Sequence, residues 1–533
     1  MPRLRRSAAR ALPAALGAAV LVVPLALSAA TPASSAGPPP SLLQTIQRVT
    51  TQDRYDHSTW GFLVRDRATD RVLFSRDGGS MFVTGSILKV FSTATALDSY
   101  GPNHRFRTPV YRTGAVRGGV LAGDLVLVAS GDLSMGLREK PDGTMAYESA
   151  PQFDHTYANT GLTDSVPVDG DPLAGLRSLA RQVARSGITT VRGDVIIDDR
   201  LFATFSGWPD AQPSPITPIW VNDNRIDITS RPSAVGQLAR VQWRPRTAAY
   251  TVETRVRTAA AGQPTAIAVS RPRPGVFRVT GQIAADAGPT LRVGEIPNPA
   301  SFARTAFVEA LRLAGVRVQA SSTGPNPAGK LPPRGYWGRR VAEHVSGRLA
   351  ELTKVILKTS HNPGADLMAC LNAVAARSRD CEAGLVAQAD YVRRLGVPPD
   401  SVFLFDGAGS DERDRATGAA MTAFLRAVGR QPIGPAFEES LSILGVDGDI
   451  AQLGAGTPSA GKVRAKTGTR AGVTPAGQGL LTARTFVAYV DARSGRQLVI
   501  SVMVRDVPFA SAQEIFAVIE DNADIAVAMQ QAY

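Results

Sequence analysis

The chain has 533 residues, 44% of them hydrophobic and 20% charged. That is a globular composition; it excludes disorder of the whole chain and calls for two or three domains rather than one core. The net charge of +13 points to anionic surroundings, but Lys and Arg are scattered, with no run and no interleaved aromatic stripe, which argues against nucleic acid as a partner.

At the N-terminus, Arg3, Arg5, Arg6 and Arg10 precede an apolar run from Ala11 to Ala30. This is the pattern of a signal peptide, with small residues suited to cleavage at Ser28-Ala29-Ala30 and at Ser34-Ser35-Ala36, and it predicts an exported protein in periplasm, cell wall or extracellular space. Pro24 disfavours a permanent membrane helix, and no cysteine lies near enough to carry a lipid anchor. These four arginines, with no acidic residue before Gly37, supply four of the thirteen net charges, so the mature chain keeps +9. Peripheral association with an anionic envelope follows from that charge. Cys370 and Cys381 are the only two cysteines, and outside the cytoplasm such a pair can close a small loop as a disulfide.

After Pro38-Pro39-Pro40 a helix is expected from Leu42, then a strand, turn and strand across Trp60–Val64 and Arg71–Phe74. From Ser86 to Leu97 the apolar residues Ile87, Val90, Phe91, Ala94 and Leu97 recur at helical spacing, and Gly101-Pro102 ends the helix. Between about Gly101 and His344 short β-prone runs dominate, with helices at Asp171–Arg185 and Ala300–Ala314 and a nearly pure β stretch from Leu238 to Val293. Helical patterning returns at Leu349–Ala376 and Ala416–Val428. Strands at Thr485–Asp491 and Gln497–Val504 and a core-packed helix from Ala512 close the chain.

Ser86-Ile87-Leu88-Lys89 places a hydroxyl and an amine one helical turn apart on one face, the geometry of a nucleophile and its base. Alone, such a tetrapeptide is common and is usually an exposed polar pair. Two further elements follow in order: Ser360-His361-Asn362, and Lys466-Thr467-Gly468-Thr469 in a β-prone segment. Ser-x-x-Lys, Ser-x-Asn and Lys-Thr-Gly are together the active-site set of penicillin-binding proteins and serine β-lactamases.

With its long insert between the first two motifs, the chain resembles the class C low-molecular-mass penicillin-binding proteins, the D-alanyl-D-alanine carboxypeptidases/endopeptidases of peptidase family S13. Further segments carry the resemblance: Gly123–Leu127, Gly193–Asp199, Val221-Asn222-Asp223-Asn224, Asp406-Gly407-Ala408-Gly409 and Gly445-Val446-Asp447-Gly448. It implies an α/β (α+β) fold in which a transpeptidase/β-lactamase-like domain, an antiparallel sheet flanked by helices, is interrupted by a large β-rich insert. The implied boundaries are 1–36 for the signal peptide, 41–99 with 343–533 for the catalytic domain, 100–237 with 294–342 for an inserted domain, and 238–293 for a nested β domain. The insert is expected to orient or screen substrate rather than supply catalytic groups.

The resemblance also implies roles. Ser86 attacks the penultimate D-Ala carbonyl of a peptidoglycan stem peptide, Lys89 acts as base, and Ser360 relays a proton to the leaving amine. Asn362 holds a substrate amide, while Lys466, Thr467 and Thr469 bind the free carboxylate and Gly468 lets substrate lie against the strand. The amides of Ser86 and Thr469 form the oxyanion hole. Arg413 and Asp198 are expected at the peptide side chain. No cofactor and no metal is implied, and β-lactam antibiotics are expected as covalent inhibitors. Three residues depart from the family pattern: Gly85 where Ala is usual, His361 where Asp is usual, and Arg470 where an apolar residue is common. Thr474–Arg484 looks longer than usual, and Asp154-His155-Thr156-Tyr157 has no counterpart in the pattern.

Rival readings are weaker. No G-x-S-x-G elbow is present, and the five histidines His57, His104, His155, His344 and His361 form neither a Ser/His/Asp order nor a zinc-binding pair. A β-lactamase or Ser-x-x-Lys esterase is the alternative within the same superfamily, but so long an insert is unusual for either and matches the carboxypeptidase architecture. A catalytically silent wall-binding module would have no need of all five motif residues.

Overall fold

The computed structural model describes residues 38–160, 165–206, 215–333, 336 and 339–533; the expected signal peptide at 1–36 lies outside the described residues. The largest sheet is antiparallel, in the order Val72–Arg76, Thr59–Asp66, Gln497–Arg505, Gly479–Asp491, Val463–Val473, Ser442–Ile443, with Val507–Phe509 added against Gly479–Asp491. Its central strands are apolar on both faces, as a sheet covered on both sides requires. Phe486, Ala488 and Val490 point into a core shared with Leu42 and Ile46 of the helix Pro40–Thr50 and Ile525 and Met529 of the helix Ala512–Ala532. Val487 and Tyr489, one residue out of phase, enter a second core with Phe91 and Phe424. Those two rings meet edge-on at 4.6 Å, a contact worth about 0.5–1.5 kcal/mol beyond area burial. The closing helix is therefore core-packed. No helix among the described residues is long and apolar enough to cross a membrane.

Residues between these halves build separate small sheets. One runs Arg340–Val345, Arg107–Arg112, Leu125–Val128, Val195–Asp198 and is backed by the helices Ala174–Arg185 and Pro299–Leu313. Farther out, Arg225–Arg231 sits between Arg240–Arg244 and Thr290–Glu295, and Val276–Ala284 between Thr251–Ala259 and Ala266–Arg273.

The helical pattern expected from Leu349 to Ala376 is broken in the middle. One helix ends at Lys358 and the next begins at Asn362, with Ser360 at φ 57° between them. Two sequence features favour the break. His361 caps the second helix, its Nδ1 accepting the Gly364 amide at 2.8 Å, and Pro363 stands in that helix's first turn, where proline is tolerated. A left-handed backbone at a non-glycine residue costs about 1–2 kcal/mol and has to be held by its surroundings. Cys370 and Cys381 form a disulfide that joins this second helix to the start of the helix Glu382–Arg394.

Candidate active site

The first and third motifs meet backbone to backbone. The strand Met81–Val83 turns at Gly85, φ 52°, into the short 3-10 turn Gly85–Leu88 and the helix Lys89–Tyr100. A Cβ at Gly85 would lie 3.1 Å from the Thr469 amide nitrogen, and one at Gly468 would lie 2.8 Å from the Ser86 nitrogen and 2.5 Å from the Thr84 carbonyl. Glycine at 468 thus permits the strand Val463–Val473 to lie against the turn that carries Ser86, and a left-handed φ suits glycine at 85. Thr485, from the neighbouring strand, clamps the contact by donating to the Thr84 carbonyl at 2.6 Å.

Lys89 is fully buried one turn beyond Ser86. Its Nζ lies 2.7 Å from the Ser86 Oγ and donates to the Ala408 carbonyl at 2.8 Å. Burial, reinforced by the Lys466 charge, holds the amine well below the usual lysine range against the pull of Asp406, Asp366 and Asp449. The Ala408 carbonyl is aimed by Asp406, whose carboxylate accepts the amides of Ala408, Gly409, Ser410 and Asp411. Sequence reading quoted Asp406-Gly407-Ala408-Gly409 only as family resemblance; an Asp ahead of two glycines in a loop was the available sign of a carboxylate gathering successive amides.

The second motif is tied to the other two. Asp366, one turn into the helix begun by Asn362, accepts the Gly407 amide at 3.1 Å, and Asn372 donates to the Ser92 carbonyl at 3.1 Å. On the other side Lys358, just before Ser360, grips both oxygens of Asp447 at 2.9 and 2.8 Å. Two residues on, Asp449 accepts from the Thr467 hydroxyl and from Ser442 at 2.6 Å, and lies 3.4 Å from the Lys466 Nζ. Ser360 is buried, its carbonyl accepting from the Tyr157 hydroxyl at 2.9 Å. Asn362 is exposed at the head of its helix.

Along the third motif, Lys466 is buried and donates to the Thr467 carbonyl at 2.7 Å. Burial lowers its proton affinity and Asp449 partly restores it. Thr469 is exposed, with its hydroxyl accepting from Arg484 Nη1 at 3.0 Å. Arg484, directly opposite in the ladder, is a buried guanidinium pushed down to about 10 by burial, and sequence reading missed it.

Over residues 42–522 the chain matches the model of the D-Ala-D-Ala carboxypeptidase 3 (S13) family. It belongs to that family. Among S13 relatives it is 29% identical over 478 residues to the D-alanyl-D-alanine carboxypeptidase of Actinomadura sp. (strain R39), covering 85% of this chain and 81% of the relative. It is 22% identical over 454 residues to the D-alanyl-D-alanine carboxypeptidase DacB of Haemophilus influenzae, covering 79% and 82%. The crystal structure of penicillin binding protein 4 (dacB) from Haemophilus influenzae shares the fold with a TM-score of 0.70 at 17% identity, across 91% of this chain and 99% of that one. Its complex with a β-lactam gives 0.65 across 92% and 99%. The chain is thus a serine-type peptidase of the D-Ala-D-Ala carboxypeptidase class, with the penicillin-binding fold.

Two residues expected at the S13 side-chain subsite have other partners. Arg413 pairs with Asp411 at 2.9 and 2.6 Å, lies 4.3 Å over the Phe405 ring, and leaves 63% of its side chain exposed. Asp198 accepts from Arg200 at 2.8 and 2.9 Å and from the Tyr336 hydroxyl, all within the insert. Arg470 reaches from the third-motif strand to the Ser410 carbonyl at 2.6 Å. The long segment after Thr474 extends the hairpin between Val463–Val473 and Gly479–Asp491.

Proposed function

We propose that the protein is an exported D-alanyl-D-alanine carboxypeptidase/endopeptidase that cleaves peptidoglycan stem peptides through an acyl-enzyme on Ser86. The observation that carries this reading is Lys89: a fully buried amine, held low, 2.7 Å from the Ser86 hydroxyl. An amine whose proton affinity is lowered in this way takes the Ser86 proton as Oγ attacks the penultimate D-Ala carbonyl. The oxyanion forms between the amides of Ser86 and Thr469, where one such donor contributes about 10²–10³ in rate.

Collapse of the tetrahedral intermediate breaks the peptide bond, with Ser360 passing a proton to the departing amine. Water then attacks the ester, giving the shortened peptide and free Ser86. Asn362 holds a substrate amide, and Lys466, Thr467 and Thr469 hold the terminal carboxylate through charge-assisted hydrogen bonds, with Arg484 adding positive charge behind Thr469. Arg413 and Asp198 serve the peptide side chain, Arg470 modulates its selection, and β-lactams acylate the same serine.

Intact-protein mass spectrometry with benzylpenicillin tests the reading. A covalent adduct on the wild type and none on Ser86→Ala is expected. Absence of an adduct on folded wild type overturns the acyl-enzyme; rapid penicillin turnover without accumulation replaces the reading with a β-lactamase.

A further inference from the structure

The Ser360 turn is gripped by the insert. Asp223 projects from the segment Asn222-Asp223-Asn224, whose three residues all have left-handed φ of 53°, 50° and 52°. Side chains close to it in sequence hold that unusual run. Asn222 donates to the Arg225 carbonyl at 2.8 Å, Asn224 donates to the Ile219 carbonyl at 3.0 Å, and the Asn224 side chain accepts the Val221 amide at 3.2 Å. Three consecutive residues in a disfavoured conformation persist only where the surroundings over-determine them, and their effect is to aim one carboxylate.

One oxygen of that carboxylate, Oδ2, meets Arg138 Nη2 at 3.0 Å, His155 Nε2 at 2.7 Å and His361 Nε2 at 2.9 Å. Behind them Arg138 also pairs with Asp154 at 2.8 Å, His155 Nδ1 meets Asp227 at 2.7 Å, and Asp227 is held by Arg244 at 2.8 Å. Arg138, Asp154, His155, Asp223, Asp227 and His361 are all buried. The proton positions follow from the partners. His361 Nδ1 accepts the Gly364 amide, so its proton sits on Nε2 and is donated to Asp223.

A second contact comes from the same turn. Two residues after His155, Tyr157 donates its hydroxyl to the carbonyl of Ser360, the left-handed residue of the second motif. Ser360 and His361 are therefore held by neighbouring groups of the insert, and Asn362 begins the helix that His361 caps. His155 and His361 thus meet the same Asp223 oxygen from two sides.

We propose that Asp223 and Tyr157 are positioning residues for acylation: acting through His361 and the Ser360 carbonyl, they set the Ser360 hydroxyl and the Asn362 amide where the reaction uses them. This rests on the roles given to Ser86 and Ser360 above. It makes the insert part of the catalytic geometry rather than only a screen or guide for substrate.

The test is the acylation rate constant with a fluorescent penicillin, separated from binding by its concentration dependence, on variants shown folded by circular dichroism. A displacement on the order of 1 Å at a catalytic group costs roughly a hundredfold. Asp223→Ala is therefore expected to slow acylation by about ten- to a hundredfold, with little change in the half-saturating concentration. Asp223→Asn keeps an oxygen that accepts from His361 and restores most of the rate. His361→Ala combined with Asp223→Ala loses no more than either alone, as expected of residues acting through one contact.

Tyr157→Phe removes a single hydroxyl and keeps the ring against Phe153, so it decides the matter even if the Asp223 variants unfold; a loss of several-fold or more is expected. Folded Asp223→Ala or Tyr157→Phe acylating at the wild-type rate, or losses that add in the double variant, overturns the positioning role while leaving the Ser86 reading intact. A wild type that no penicillin acylates overturns both.

Discussion

Two fully buried bases sit in this protein with opposite proton affinities, and their contacts explain the difference. Lys89 meets a hydroxyl and a backbone carbonyl, with a second lysine nearby, and is held well below its usual range. His155 meets a carboxylate at each ring nitrogen and is pushed up to about 9. Burial alone would strip the proton from either. Direct carboxylate contact reverses that for His155, while at Lys89 the nearby acids act from a distance and do not. The first arrangement makes a base that can accept a proton; the second makes a fixed cation that ties segments together.

The largest effect that would break this comparison lies at His155. A histidine whose folded value is raised stabilises the fold fully below its unfolded value near 6.5, and this contribution is lost as pH rises through about 9. The groups facing it are Asp223 and Asp227 directly, with Asp154, Arg138, His361 and Arg244 one contact away. Urea unfolding between pH 6 and 10 is expected to show about 3 kcal/mol of stability falling away in wild type and not in His155→Asn. A wild-type curve without that fall would mean His155 is neutral. His361, held low chiefly by burial, acts in the opposite sense: its contribution is present above 6.5 and is lost as pH falls below it.

Next in size is Gly468→Ala, whose Cβ would stand 2.3 Å from the Thr485 hydroxyl and 2.8 Å from the Ser86 nitrogen. Parting strand from turn by such an amount is expected to slow penicillin acylation roughly a hundredfold with the fold retained. Acylation at the wild-type rate would show that the third-motif strand does not depend on this approach.

The finest test is at Lys466, whose charge helps to hold Lys89 low. Removing it in Lys466→Met lets the Lys89 value rise, so the acid limb of the acylation pH profile is expected to move to higher pH. An unmoved limb would assign that limb to another group.

Much of the site was legible where the chemistry is local. Ser86 and Lys89 lie three residues apart, and a helix brings that spacing to one face whatever surrounds it. Ordered motifs with a long β-rich segment between them pointed to the family, and strand periodicity at Thr485–Asp491 and Gln497–Val504 marked the sheet, because alternation is a property of the strand itself. The break at Ser360 was hidden, because the apolar spacing runs on from Leu349 to Ala376 as though one helix continued. Ala408 was hidden as well: what it offers Lys89 is a backbone carbonyl, which no side-chain pattern records.

By itself, then, the sequence determined the pairing of Ser86 with its neighbouring amine, the order of the three motifs and the helices and strands that carry them, since each depends on residues within a turn or a strand of one another. Only the tertiary structure decided how the insert holds the second motif. Asp223 and His361 stand 138 residues apart, Tyr157 and Ser360 203 apart, and a hydrogen bond between buried groups forms only once packing has removed the water that would otherwise satisfy both.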